Sequence, residues 1–364
     1  MGGEMTMWVS SGLSLSSLFH WFKKGSLKLR YAAMVGMMVS TCLILVDFTS
    51  TAMAVLTAEE LLKALPLSDG EREDVLKGEI VRFTTQEGSD RELALGAVLL
   101  VRNVPKNLAS LFREAVVFKL VGVVTAFGEI SDKATVDAFA GLKLQPNGED
   151  EAKRYLEAEP GDKLNLDTKE ISVFQALKTK GGSQADVETL VHQQLLDRYK
   201  AYREKGLSGI PPYARGGEKM FDLSQDLLLA TNEAKLVAKN FPSFHQTLLK
   251  YPAIQAKQLE TRFYWANVEV FGRPTLILSH RMLFNDGDAF VAADRHFYAS
   301  HEYNGLQSIG GALPTKEGSL LVSLYRISTD GVAGFGSAAK HPVARGLMGP
   351  YFEEIFEGIR KKAE

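Results

Sequence analysis

Histidines are the residues of this chain best suited to acid–base or metal chemistry. Three of them, His280, His296 and His301, lie close together in the last third of the sequence. If residues 289–303 form one regular strand, alternation sends His296 and His301 to opposite faces, and they converge only if a bulge interrupts the strand. The short ligand spacings of common metal motifs do not occur in the sequence. We therefore expect no metal site.

The usual catalytic motifs are also missing from the sequence. It contains no G-x-S-x-G nucleophile elbow, and the glycine-rich segment 331–336 has neither the spacing nor the lysine of a phosphate-binding loop. We expect no catalytic residue and no cofactor. One alternative stays open: a cell-envelope enzyme that uses His280 or His301 as general acid/base, assisted by Tyr298 or Arg295.

Aromatic residues concentrate on segments that we expect to pair as strands, which suits sheet packing or the wall of a cavity for a mostly apolar ligand. In the second case a few polar groups would orient the ligand. The candidate ligand-binding residues are Tyr264, Trp265, His280, Tyr298 and His301, together with Arg215 on a loop at 209–217. The leading hypothesis is therefore binding of an apolar or lipid-like small molecule without catalysis. A third is a structural or interaction module of the envelope that docks through helices 184–205 and 223–250.

The N-terminal segment has the layout of a secretory signal peptide. A basic stretch at 23–30 precedes 16 uncharged, mostly apolar residues at 31–46, and a small-residue run ends at Ala54. The apolar run is shorter than the roughly 20 residues that span a bilayer. We predict cleavage after Ala54 and a periplasmic or secreted protein, with an uncleaved anchor as the alternative. Cys42, the single cysteine, lies in this segment, so a mature chain would have no thiol.

The charge composition argues against a partner that is bound mainly through charge attraction. The chain has 364 residues and a net charge of −2. Residues 1–54 hold four basic and two acidic residues, so the remainder carries a net charge of −4. We expect no nucleic-acid partner, because such partners need a clear excess of positive charge. Peripheral contact with the cell envelope is compatible with this balance.

The mature part, 55–364, is predicted to be a single α+β domain with a helical insertion at about 184–250. Capping pairs at Thr57 and Ser68 predict two short helices, and a third pair at Ser183 begins the helix 184–205. Residues 93–101 are apolar on both faces, as in a buried strand, and Pro105 then starts a helix. A further strand is expected at 119–127.

The last third is predicted to be a curved antiparallel sheet followed by a C-terminal helix. Strands are expected at 260–271, 275–284, 289–303 and 319–328, with glycine-containing turns between them. The closing helix begins near Pro342, and Pro350 predicts a break within it because proline lacks a backbone donor.

Six short segments carry a resemblance to known sequences: 96–98, 159–162, 213–217, 263–265, 271–274 and the Tyr-Ala-Ser-His run at 298–301. They resemble an uncharacterised family of exported bacterial proteins, for which no activity is implied. The resemblance covers most of residues 78–305. Members often have cysteines flanking a Pro-Gly-Asp turn, where this chain has Ala158 and Lys163.

The predicted order of elements resembles the START-type helix-grip fold. In that fold a buried strand leads into a helix, and a curved sheet and a last helix follow. The resemblance implies an apolar cavity between the sheet and the last helix. The inserted helices and Pro350 depart from the simple pattern.

Overall fold

The computed structural model describes residues 56–364, apart from residues 121 and 271. The predicted signal peptide and Cys42 lie outside this range. The described residues belong to one compact unit, Val55–Glu364. None of the helices in the described range is both long enough and apolar enough to cross a membrane.

Eleven α-helices occur in the described part. Both short N-terminal helices have complete capping boxes, from Thr57 and Ser68, and the long helix α7 has one from Ser183, as predicted. The helices are α1 (Ala58–Ala64), α2 (Asp69–Leu76), α3 (Pro105–Arg113), α4 (Val117–Leu120), α5 (Gly148–Leu156), α6 (Thr168–Thr179), α7 (Gln184–Lys205), α8 (Leu223–Asn232), α9 (Lys235–Asn240), α10 (Pro242–Lys250) and α11 (Ser337–Ala363).

Eight strands form one open antiparallel sheet in the order β1-β2-β10-β9-β8-β7-β6-β3, and β4 and β5 form a separate hairpin. The α+β prediction, with a meander and a C-terminal helix, is confirmed. The strands are β1 (Val81–Thr84), β2 (Glu92–Val101), β3 (Val124–Ile130), β4 (Tyr213–Gly216), β5 (Lys219–Phe221), β6 (Leu259–Val270), β7 (Arg273–Asp286), β8 (Ala289–Ala299), β9 (Gly305–Pro314) and β10 (Ser319–Ser328).

Helices cover both faces of the sheet, which explains why β2 is buried along its whole length. On one face, here called the grip face, α3 and α11 pack through Leu108 and Phe356 onto Leu99 and Phe290. The opposite face, here called the insertion face, carries α1 and α2 at one end. The helices between β3 and β6 cover the rest of it.

Several local predictions differ from the structure. Residues 119–127 do not form one strand, since helix α4 ends at Leu120 and β3 begins at Val124. The segment 209–217 contributes strand β4 rather than loop alone, and the glycine-rich strand β9 was not predicted. Helix α11 begins at Ser337 and continues through Pro350 without a break. Gly346, whose carbonyl loses its helical donor at Pro350, is exposed, so water can satisfy that carbonyl.

Candidate functional site

Five of the six candidate residues are buried and Arg215 is half-buried, but the six do not share a cavity. Tyr264 lies on the grip face, where its ring meets that of Phe118 edge-on at 5.6 Å. Trp265, the next residue on β6, lies in the core of the insertion face. Neighbours on a strand point apart, and this alternation divides the group. The remaining four are His280, Tyr298, His301 and Arg215, which lie at separate places described below.

A β-bulge in β8 changes the expected alternation of side chains. Leu278 pairs with Tyr298, whereas the next residue, Ser279, pairs with His296, so Phe297 is the extra residue. Phe297 and Tyr298 therefore both lie in the insertion-face core. The strand also ends at Ala299, so the predicted strand 289–303 is too long. The bulge does not bring His296 and His301 together, because His301 lies beyond the end of the strand.

His280 lies fully buried on the insertion face. Its Nδ1 is 3.1 Å from the hydroxyl of Tyr202, and its Nε2 is 2.6 Å from the Thr261 hydroxyl. Burial, and secondarily the nearby charge of Arg295, hold the pKa of His280 well below its usual range. The neutral imidazole is thus hydrogen-bonded on both nitrogens and has no exposure to solvent. This arrangement is that of a structural histidine.

Arg295 is the largest fully buried side chain next to His280. It donates to the Gln307 side-chain oxygen, to the Leu248 carbonyl at 2.8 Å and to the Tyr202 hydroxyl at 3.3 Å. No carboxylate lies within ion-pair distance of it among the residues that the structure describes. Neutral dipoles therefore stabilise its charge, and the cluster positions α7, α8 and α10 on the sheet.

Tyr298 and Arg215 take part in a second buried polar cluster. The guanidinium of Arg198 stacks 4.3 Å from the centre of the Tyr298 ring. It also forms an ion pair with Glu170, in which Nε of the arginine donates to Oε1 of the glutamate at 2.8 Å. Burial raises the pKa of Tyr298 above its usual range, so the phenol stays protonated. Arg215 donates to Asp330 at 3.0 Å, to the Gly161 carbonyl at 2.9 Å and to the side-chain oxygens of Asn165 and Asn304 at 2.6 Å and 2.8 Å. All three of its guanidinium nitrogens therefore already have a partner within the protein.

His301 lies at the end of the sheet, 1% exposed, between Glu302 and the Pro274 carbonyl, each at 3.1 Å. Glu151, which is also buried, forms a two-pronged ion pair with Arg273 close by. This group fastens α5 to the start of β7. His280 and His301 border none of the cavities described below.

Side chains fill much of the space between the sheet and α11, where the START-type resemblance implied an apolar cavity. Phe352 meets the Tyr325 ring at 4.4 Å, and Arg281 lies 4.1 Å from the Phe118 ring. A cavity bordered by Tyr264 and Arg281 measures about 10 Å³, room for one water molecule.

Asp294 and His296 also lie on the grip face. Although burial alone would raise the pKa of Asp294, the neighbouring Arg281 and His296 hold it below its ordinary value. Arg281 donates to the Asp294 carboxylate at 2.8 Å. His296 is bonded to the Tyr303 hydroxyl at 2.8 Å. No sequence pattern indicates this group as a unit, because its partners come from separate strands.

A groove of about 680 Å³ lies between the end of α7, the start of α8 and the end of α10. Its volume falls within the range of small-molecule sites. The apolar residues that line it are Leu207, Leu228, Leu249, Tyr251, Pro252 and Ala253. The polar ones are Glu204, Lys205, Ser208, Ser224, Gln225 and Lys250. Neither lysine lies within ion-pair distance of a carboxylate in the described part of the chain.

Sequence reasoning missed this groove because its walls come from three helices and a loop that only the tertiary structure brings together. Within residues 56–364, apart from 121 and 271, no three histidine, cysteine or carboxylate side chains are placed to hold a metal ion. Comparison of the chain with protein-family models, with curated proteins and with solved structures gives no match.

Proposed function

We propose that this protein is an exported, non-catalytic binding protein, and that its ligand is an amphiphile with an apolar body and an acidic head group. The observation that carries the proposal is the groove at the ends of α7 and α10. Its apolar wall residues would contact the body of the ligand, and Lys205 and Lys250 would meet the head group. Glu204 also lines the groove, so the three charged residues of its lining together carry a net charge of +1.

The lysines favour an acidic head group over a neutral one. Both side chains are exposed, and neither has a carboxylate partner in the described structure. An ammonium group at the rim of an apolar groove attracts an anion while its aliphatic stem covers apolar surface. The candidate aromatic residues then serve the sheet rather than the ligand, because they are already packed and hydrogen-bonded.

Two features support a non-catalytic role. The two histidines considered for catalysis are fully used in structural hydrogen bonds, and a general base must reach its substrate. The chain runs from a buried strand into a proline-led helix, then a meander and a last helix. This order is consistent with a resemblance to START-type helix-grip domains, which hold apolar ligands. In this chain, however, the proposed site lies on the insertion helices.

The export part of the proposal rests on the basic, apolar and small-residue order of residues 23–54. Thr57, which caps α1, follows Ala54 by three residues, so cleavage there would keep the cap. Sequencing of the mature N-terminus should read Val55-Leu56-Thr57. Recovery of a full-length protein in the cytosolic fraction would refute export.

Calorimetric titration with dodecanoate and with dodecanol tests the binding proposal. Replacing both lysines, Lys205→Gln with Lys250→Gln, should weaken dodecanoate binding roughly 10-fold, equivalent to about 1.4 kcal/mol, and leave dodecanol binding unchanged. The control is Lys361→Gln with Lys362→Gln, two exposed lysines at the end of α11. Equal loss of both ligands, or the same loss in the control, would contradict a head-group role.

A further inference from the structure

Helix α11 has an apolar stripe on its solvent side that no other element in the described part of the chain covers. Val343, Leu347 and Tyr351 follow one another at intervals of four residues, and their exposures are 64%, 64% and 50%. The opposite side of the helix is packed against the sheet through Phe352 and Phe356. Exposed large apolar residues aligned over several turns are typical of a surface that binds another protein.

Two opposite charges end this stripe at equal distances from its centre. Lys340 precedes Leu347 by seven residues, and Glu354 follows it by seven. Seven residues are close to two helical turns, so both charges lie on the same side of the helix as Leu347. Both are exposed, and neither has an ion-pair partner among the described residues. Lys340 makes one hydrogen bond, to the Ala333 carbonyl.

We propose that this face is the interface of a homodimer, in which the α11 helices of two copies pack antiparallel about a two-fold axis at Leu347. That axis places Lys340 of each copy opposite Glu354 of the other. It also places Val343 opposite Tyr351, and Leu347 opposite its own copy. A two-fold interface requires such self-complementarity, and antiparallel helix dipoles add to it.

The neighbouring row of the helix surface suits a close helix–helix contact. Pro342, Gly346 and Pro350 are exposed beside the stripe, and glycine at the middle position leaves a shallow groove. Ridges spaced four residues apart on one helix can pack into such a groove on the other. Glu354 disfavours an anionic membrane surface as the occupant, because this carboxylate is exposed at one end of the stripe and has no ion-pair partner among the described residues.

Sedimentation velocity of the purified protein from about 1 µM to about 100 µM tests the proposal, since we expect an interface built on a single helix face to be weak. The natural chain should shift from monomer to dimer. Leu347→Glu should raise the dissociation constant at least about 10-fold, because it places two carboxylates at the axis. Leu76→Glu, on an exposed apolar residue of α2, is the matched control and should leave dimerisation unchanged.

The charge pair gives the decisive comparison. Lys340→Glu alone should weaken the dimer, because the new carboxylate would then face Glu354 of the other copy. Adding Glu354→Lys restores opposite charges and should restore the dimer. A protein that stays monomeric at all concentrations, or a double variant no better than the single one, would overturn the proposal. The proposal would also be overturned if the protein is monomeric and binds vesicles of anionic lipid, and if Leu347→Glu abolishes that binding.

Discussion

Arg295 and Gln307 lie on adjacent strands, and Nε and Nη2 of the arginine both donate to the same side-chain oxygen of Gln307, at 2.8 Å and 2.6 Å. This amide is the main acceptor for a fully buried positive charge. The charge is therefore stabilised by dipoles from β9, α8 and α10 rather than by a carboxylate. The arrangement links the insertion helices to the centre of the sheet.

Gln307→Leu should destabilise the protein strongly. The substitution leaves a buried guanidinium without its best acceptor, and removal of one partner of a buried charge costs about 3 kcal/mol or more. Urea unfolding measures the loss of free energy. Gln193→Leu, on the exposed side of α7, is the control and should change stability by less than about 0.5 kcal/mol. Equal effects of the two substitutions would show that Arg295 does not depend on Gln307.

Stability should fall as the pH drops below about 6.5, the ordinary pKa of histidine. The pKa of His280 is lowered in the folded protein, so below that pH the unfolded chain binds a proton that the folded chain does not. The free energy of unfolding then decreases with falling pH, by up to about 1.4 kcal/mol per pH unit for one such group. His296, whose pKa burial also lowers, adds to the effect.

His280→Gln should reduce this pH dependence even if the variant is less stable overall. Urea unfolding between pH 7.5 and 5 gives the slope for both proteins. The slope of the variant should be smaller by the contribution of one proton, while the contribution of His296 remains. Parallel slopes for the two proteins would mean that His280 titrates normally in the folded state.

Gly128 pairs with Trp265 across strands β3 and β6, and a methyl group at this glycine would lie 2.6 Å from the indole nitrogen. Gly128→Ala should therefore destabilise the protein by about 1–3 kcal/mol, the usual cost of overpacking. Trp265 is the only tryptophan in residues 55–364, so its fluorescence follows unfolding directly. Gly122→Ala, with open space at its Cβ, should have little effect. A neutral Gly128→Ala would show that the indole moves freely.

Elements with strong local patterns could be predicted from the sequence, whereas their assembly into a site could not. The capping boxes of α1, α2 and α7 and the apolar run of β2 depend on neighbouring residues, and these predictions were confirmed. Strand β9 was missed because its glycines hide a strand pattern. Gly310 and Gly311 lie against the backbones of β10 and β8, where a Cβ would collide.

The candidate site residues were likewise recognisable by type, but their positions relative to one another could not be predicted. Their types suggested a cavity wall, but the bulge at Phe297 and the faces of β6 and β7 decide which side chains meet. Polar partners such as Gln307 for Arg295, and Tyr202 for His280, come from distant parts of the chain. The groove between α7, α8 and α10 depends on helix packing, which no local pattern of the sequence specifies.

Photo-cross-linking with a diazirine-labelled fatty acid tests the central claim most directly, because it locates the bound ligand. After irradiation and digestion, mass spectrometry should find the label on peptides that contain Leu207, Leu228 or residues 249–253, which line the groove. Excess dodecanoate should suppress this labelling. Label that concentrates instead near Phe112 and Tyr264 on the grip face, or that excess dodecanoate does not reduce, would contradict the account.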